Sequence, residues 1–567
     1  MVNFTLALLT SAARLSKASF VRKTRKTAIC QEKFLFSLLK THQETEFGKE
    51  NCFKEIKTVK QFQEAIPILT YSGYEKYVER IARGEQNVLT SDPVVYFNQS
   101  SGSTGKQKLI PVTKRVRKVR SRVTQQSLGF MTDAAIKHGL EIGKMLLTTS
   151  IQIRDRTSGG IAYGTSSVGD LRNMDFLYRQ VFVHPYDALK PADSTARNYV
   201  CLLFALGNPQ MRVIGANFPI LALQLADYLE RYAEDLIQDI ENGTIASWLK
   251  LEPEVRQILE KQWNKSPQRA AELRSILQSE GTLTPKMAWK NLSWIITARG
   301  GTSDFYFERF NQYFGDTPVF GGIYAASEAT FGIYEDFNSD GTILAIDSGF
   351  FEFIPSDEWE KEEPKTVLAH EVEVGKYYRI VVTNYSGLYR YDIGDVVEIL
   401  GFYEQAPIIV FRHRVGGLLS ATSEKTNEFH ATQVIQQLQK EFDLPLANYC
   451  ITLSENEIPP HYLLNIELLP NHPLNDSEKF LAAFDKKMQQ ANVSYEDKRR
   501  NNILPPPRLR ILAPGSFATV RQRLLQRGIP DSHLKIPHIN EDRKFLVGLD
   551  IEQEVKLSEL ERVGIRD

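Results

Sequence analysis

Apolar positions recur at helical spacing over Lys114–His138 and, more sharply, over Pro219–Glu241. In the second stretch Leu221, Leu225, Tyr228, Leu229, Tyr232, Leu236 and Ile240 fall on one face, and Asn242-Gly243 closes the run. Short apolar runs at Met145–Thr149, Met211–Gly215, Trp294–Thr297 and Pro318–Phe320 read as strands between helices. That alternation predicts an α/β core with a largely parallel sheet. The pattern changes near residue 330. Phe331–Tyr334, Thr342–Ile346, Phe350–Ile354, Tyr377–Thr383, Val396–Leu400 and Ile408–Phe411 are short β-rich runs separated by Gly, Asn and Asp turns, and they predict a β-barrel or antiparallel subdomain. The acidic stretch Asp357–Glu363 reads as an exposed loop.

From Thr426 a helix runs through Phe442, then come strands Tyr449–Leu453 and Tyr462–Leu468 and a helix at Asp476–Gln490. The turn Pro505-Pro506-Pro507 leads to strand Arg508–Leu512 and helix Ser516–Arg527. These elements predict a compact α+β module of about 140 residues. The chain has no internal repeat.

Composition narrows the function classes. Length, 567 residues, suggests several domains, and Lys plus Arg (69) balances Asp plus Glu (69), so the chain lacks the basic excess of a nucleic-acid binder. Cys30, Cys52, Cys201 and Cys450 are far apart, with neither zinc-ligand spacing nor a disulfide framework, and a reducing cytosol fits them best. No apolar run approaches the roughly 18 residues of a membrane span. Near the start the apolar run Phe4–Leu9 precedes Arg14, Lys17, Arg22 and Lys23, the reverse of a secretory signal, so an amphipathic first helix is expected.

Chemistry concentrates in a few stretches. The apolar run Pro93–Phe97 leads into Ser100, Ser101, Gly102, Ser103, Thr104, Gly105, Lys106, Gln107 and Lys108. Glycine lets backbone N–H groups turn inward, hydroxyls donate to anionic oxygens, and the lysines add charge. Such a loop suits a polyphosphate, and the same residues also build plain surface turns. It is not a P-loop, because only Ser103 and Thr104 separate its glycines and Gln107 follows Lys106. In Gly321-Gly322-Ile323-Tyr324-Ala325-Ala326-Ser327-Glu328, small side chains admit a flat ligand and Glu328 suits a hard cation; an ordinary strand end reads the same way. Gly394-Asp395 places a carboxylate at a turn, either to accept from ribose hydroxyls or as a plain turn. Lys535 stands among Leu534, Ile536 and Pro537, as a functional lysine or a snorkelling surface one.

In this order and spacing, the stretches resemble the auxin-responsive Gretchen Hagen acyl-acid amido synthetases, a branch of the adenylate-forming superfamily. Ser100–Lys106 is similar to the family's phosphate loop, with a glycine that comes sooner and Ser103 in place of threonine. Tyr324–Glu328 resembles Tyr-x-Ser-Ser-Glu with Ala326 for the first serine, and Tyr389–Asp395 resembles Tyr-Arg-x-x-x-Gly-Asp. Phe411–Arg414 with Ser423–Glu428 resembles the hinge segment, with Arg414 and Lys425 at its basic positions. Pro514–Phe517 with Lys535 resembles the closing segment, and Thr45–Gly48 through Arg83–Asn87 the lead-in, so the likeness runs from about residue 30 onward.

The resemblance implies an N-terminal adenylate-forming domain over 1–425 (α/β core about 1–330, β-rich part about 331–415), a hinge at about 414–428 with Gly416-Gly417 as its freedom, and a mobile C-terminal lid over 426–567. It implies two half-reactions, attack of a carboxylate on ATP to give an acyl-adenylate and pyrophosphate, then displacement of AMP by an amine, an amino acid by family analogy. Ser100–Lys106 would hold phosphates, Glu328 magnesium, Asp395 the ribose, and Gly300-Gly301 with Ala325 and Ala326 the adenine, while Lys535 would neutralise the reacting anions. His184, His413 and His430 are bases by residue type only, each also readable as structural. The alternatives are an acyl-CoA ligase forming a thioester and an inactive binding relative.

Overall fold

The computed structural model describes residues 2–557 apart from 100–107, 175, 210, 301–303, 416–418, 423, 425, 502 and 528–533. Its contacts gather into two units, Met1–Gly300 with Phe310–Phe411, and Gly301–Arg309 with Arg412–Asp567.

In the first unit the predicted parallel sheet forms from Lys144–Leu147, Met211–Gly215, Trp294–Ile296 and Val319–Phe320, all parallel and in that order. The predicted helix Pro219–Glu241 is two helices, Pro219–Arg231 and Ala233–Asn242, because Tyr232 leaves helical geometry (φ −110°, ψ 21°). The apolar stripe runs on across the break, with Leu225, Leu229, Leu236 and Ile240 all buried, so its period hid the interruption. Gly243 ends the second helix in the left-handed region (φ 75°), where a side chain would be strained.

The expected first helix spans Val2–Thr24 and packs on Lys114–Lys137. A Cβ at Gly129 would lie 2.5 Å from the Ala13 carbonyl oxygen, so glycine is what allows these helices to approach. Thr113 caps the second helix, accepting from the Val116 N–H at 3.2 Å.

A smaller sheet orders Leu109–Thr113, Val94–Gln99, Ala162–Gly164 and Asp155–Arg156. The β-rich region is an eight-stranded antiparallel sheet, ordered Val367–Leu368, Phe350–Pro355, Tyr377–Asn384, Leu388–Tyr403, Ala406–Arg414, Thr342–Leu344, Thr330–Tyr334 and Ile323–Ala325. Asp357–Glu363 is mostly exposed, as its charge pattern predicts. Beneath the sheet Phe47 stacks on Tyr389 with ring centroids 4.9 Å apart, and Tyr74 donates to the Tyr389 carbonyl. Arg390 is buried against Glu352 at 3.0 Å, and its guanidinium also reaches the carbonyls of Gln63 and Ile66.

The second unit orders its strands Leu446–Leu453, Tyr462–Leu468, Arg508–Leu512 and Ile551–Lys556. Helices Glu428–Phe442, Ser477–Ala491, Val493–Arg500 and Ser516–Gln526 accompany them. Asn427 caps the first helix in a reciprocal box with His430. No described helix is long and apolar enough to cross a membrane.

Candidate functional site

The hydroxyl-rich loop leaves from Val94–Gln99 and returns through Leu109–Thr113, an antiparallel pair in which Gln99 faces Leu109. Ser100, Ser101, Gly102, Ser103, Thr104, Gly105 and Lys106 themselves lie outside the described residues, as do Gly301, Gly416, Gly417 and Lys425. What the structure fixes is the loop's two stems. On the returning side, the Tyr71 hydroxyl donates to the Leu109 carbonyl at 3.2 Å and accepts the Leu109 N–H at 3.0 Å. Burial, with smaller contributions from Glu75, Glu79 and Glu328, pushes the Tyr71 phenol up to about 12, so it stays a neutral donor. Lys108 Nζ lies 5.6 Å from the centre of the Tyr71 ring.

On the outgoing side, Asn98 Nδ2 donates to the Ser327 carbonyl at 2.9 Å and Ser327 Oγ donates to the Gln99 carbonyl at 3.3 Å. These bonds tie the stem of the hydroxyl-rich loop to the second predicted cluster. That cluster is a hairpin, Ile323–Ala325 pairing antiparallel with Thr330–Tyr334, and the Ala326 N–H closes its turn on the Ala329 carbonyl at 2.8 Å. Ala325 is exposed and Ala326 half-buried, which leaves small side chains on the open side. Glu328 is 4% exposed, and its carbonyl accepts from Asn384 Nδ2 at 2.9 Å.

Tyr324 brings in the third cluster, its hydroxyl donating to Asp395 Oδ2 at 2.7 Å. Asp395 is not at a turn between elements, as the Gly-Asp pair suggests. It sits within the strand Leu388–Tyr403, in a bulge where Arg379 faces Val396 and Val381 faces Asp392, so Ile393, Gly394 and Asp395 oppose Ile380 alone. Gly394 supplies the positive φ (80°), and its N–H donates to Asp392 Oδ1 at 2.8 Å. Asp392 lies 3.3 Å from Arg379. Burial raises the Asp392 carboxyl above the usual range, against the pull of Arg379.

Gly300 (φ 86°) reaches the same neighbourhood. A Cβ there would meet the Phe411 carbonyl oxygen at 3.3 Å, and the Phe411 ring lies 5.8 Å from that of Tyr324. The first unit therefore collects Gly300, Tyr324, Ala325, Ala326, Ser327, Glu328 and Asp395 around the stems of the loop. Arg414, at the end of its strand, and Lys535 belong to the second unit. Lys535 Nζ is 3.7 Å from Glu428 Oε2. Among the histidines named by type, His184 is held by the carbonyls of Leu147 (2.7 Å) and Pro185 (3.0 Å), and His430 serves the helix cap.

Residues to which the sequence assigns no individual role also shape these sites. Asn98 and Asn384 anchor Ser327 and Glu328 through their carbonyls, and Glu424, fully buried, accepts from Ala421, Thr422 and the Tyr462 hydroxyl. Asn98, a polar residue directly after the apolar run Pro93–Phe97 and still within the strand, was the one carrying a local signal.

Comparison with known proteins places three consecutive matches along the chain. Residues 16–319 match the N-terminal domain of the GH3 family, 342–414 its central domain and 429–544 its C-terminal domain. Indole-3-acetic acid-amido synthetase GH3.3 of Arabidopsis thaliana is 27% identical over 538 residues, 91% of this chain and 89% of that protein. Indole-3-acetic acid-amido synthetase GH3.2 of the same plant is 28% identical over 521 residues, 86% and 94% respectively. The solved structure of GH3.15 acyl acid amido synthetase shares the fold, with a TM-score of 0.85 at 24% identity over 95% of this chain and 97% of that one. A 2-hydroxyisobutyryl-CoA ligase in the postadenylation state shares it more distantly, at TM-score 0.52 and 11% identity over 92% and 89%.

Proposed function

We propose, because the chain belongs to the GH3 family, that it is an ATP-dependent ligase joining a carboxylic acid to an amino acid through an acyl-adenylate. The amido synthetases among its relatives support the second half-reaction as amide formation. The observation that carries the reading is the Tyr324–Asp395 hydrogen bond, which joins two stretches far apart in sequence beside the stems of the hydroxyl-rich loop.

In the first half-reaction an anionic carboxylate approaches an anionic phosphate, so charge control dominates. Ser100, Ser101, Gly102, Ser103, Thr104, Gly105 and Lys106 would bind the β- and γ-phosphates. Asp395, kept in place by Tyr324, would accept from the ribose hydroxyls, and Gly300, Gly301, Ala325 and Ala326 would flank the adenine. Lys535, with Arg414 and Lys425, would balance charge at the α-phosphate. Among the described residues no cluster of three or more His, Cys, Asp or Glu forms a metal cage. The single carboxylate of Glu328 fits magnesium, which keeps waters and takes most of its ligands from phosphates; when bound, the ion neutralises phosphate charge. Residues 426–567 would act as a lid about a hinge at 414–428. The free thiols Cys30, Cys52, Cys201 and Cys450 support work in a reducing cytosol.

The test is ATP–pyrophosphate exchange across a panel of carboxylic acids, followed by mass spectrometry of products with amino acids or CoA. Acid-dependent exchange and an amide are expected. A thioester as the only product, or no exchange with any acid, overturns the proposal.

A further inference from the structure

The segment Lys535–His538 is gripped at both ends by one side chain. Glu428 opens the helix Glu428–Phe442; its Oε1 accepts the His538 N–H at 2.7 Å while its Oε2 faces Lys535 Nζ at 3.7 Å. The His538 ring is fully buried, stacked on Tyr449 at 4.2 Å between centroids and meeting Phe305 edge-on at 5.1 Å. The far end of the segment is thus fixed in an aromatic socket, and the carboxylate sets where its near end, the lysine, points. A carboxylate at a helix N-terminus is itself favoured by the helix dipole, so Glu428 holds its charge there.

We propose that Glu428 is the positioning residue of Lys535, clasping Lys535–His538 so that the ammonium is presented charged and in a narrow range of directions. The inference rests on the proposed role of Lys535 in adenylation. Burial opposes ionisation of Glu428, but the Lys535 charge, helped by the bond from the His538 backbone N–H, outweighs it and keeps the carboxyl below the usual range. The other titratable groups around the carboxylate stay neutral. Burial depresses His538 to about 3, and burial with the Glu428 charge raises Tyr306, Tyr449 and Cys450. Glu428 and Lys535 are therefore the charged pair of this cluster at neutral pH.

Glu428→Gln keeps the shape and an oxygen for the His538 N–H but removes the charge. Acetylation of Lys535 in the full chain at pH 8, followed by peptide mass spectrometry, should run about two- to fivefold faster in this variant, the range set by a half-exposed pair. The adenylation rate should fall, and Glu428→Asp should restore part of the rate and of the protection from labelling. In the unaltered protein, raising salt to about 1 M should speed Lys535 labelling relative to other exposed lysines, a measurement that needs no variant to fold. Unchanged labelling in both experiments overturns the clasp. Faster labelling with a Lys535→Ala protein that adenylates normally instead overturns the role of Lys535, and the positioning proposal with it, while the amide-forming activity itself stands.

Discussion

Replacing Tyr324 by Phe removes a single hydroxyl. The ring's neighbours, Phe331 at 5.0 Å and Phe411 at 5.8 Å between centroids, keep their contacts. What is lost is the 2.7 Å bond to Asp395 Oδ2, whose residue is only 1% exposed, so water does not readily take the hydroxyl's place. A hydrogen bond to a charged acceptor contributes about 1.5–3 kcal/mol, and the first unit should lose about that much stability. The effect on ATP is smaller, because the bond exists before ATP arrives and binding loses only the orientation it gives the carboxylate. A loss of about 1 kcal/mol corresponds to a roughly fivefold higher KM for ATP. Asp395→Asn should do more, about tenfold, since a charge-assisted bond is about twice as strong as a neutral one. The assay is pyrophosphate exchange with ATP and with 2′-deoxy-ATP. The unaltered protein should prefer ATP, Tyr324→Phe should narrow that preference, and Asp395→Asn should nearly abolish it. If both variants keep the same KM and the same preference, Asp395 does not hold the ribose.

Arg390→Met strands the buried Glu352 carboxylate, whose side chain is 1% exposed, and should destabilise the protein by about 3–5 kcal/mol in urea unfolding, with Glu352→Leu in the same chain recovering more than half. His538, held near 3 by burial, stays neutral when folded but takes a proton near 6.5 when unfolded. Stability from this residue should therefore fall by about 1.4 kcal/mol per pH unit as pH drops from about 6.5 to 4. His538→Phe should flatten that slope, read from hydrogen exchange along Leu446–Leu453. Glu328→Gln should raise the magnesium needed for half-maximal exchange by more than the roughly 10-fold that loss of even an outer partner of a metal ligand produces; an unchanged requirement removes Glu328 from the metal site.

Much of the fold was legible because burial leaves a period. Trp294–Ile296 is a buried strand that shows as an unbroken apolar run, and Met211–Gly215 shows as one interrupted only by Arg212, which reaches out to Glu141. Ile551–Lys556 left no such trace, since an edge strand with only Val555 buried reads as polar chain. Tyr232 broke a helix without breaking its stripe, and Gly394-Asp395 carried a turn's signature inside a strand of 16 residues. The candidate site motifs were legible as an ordered set, each one alone reading equally as a plain turn, strand end or surface lysine. The link between Glu428 and Lys535 was invisible because it depends on the fold bringing distant positions together, with no pattern along the chain to announce it.

The bulge beneath Asp395 has an arithmetic of its own. Two more residues lie between Asp392 and Val396 than between their partners Val381 and Arg379, and an even surplus leaves the inside–outside alternation intact. Tyr389 and Tyr391 before it and Val397 and Ile399 after it all stay buried. Losing a pair there would flatten the strand and withdraw the carboxylate while sparing the core, whereas losing one residue would leave an odd surplus for the backbone to absorb. The same strand absorbs such an odd surplus where Tyr389 and Arg390 oppose Thr383 alone, with Arg390 in the left-handed region (φ 48°).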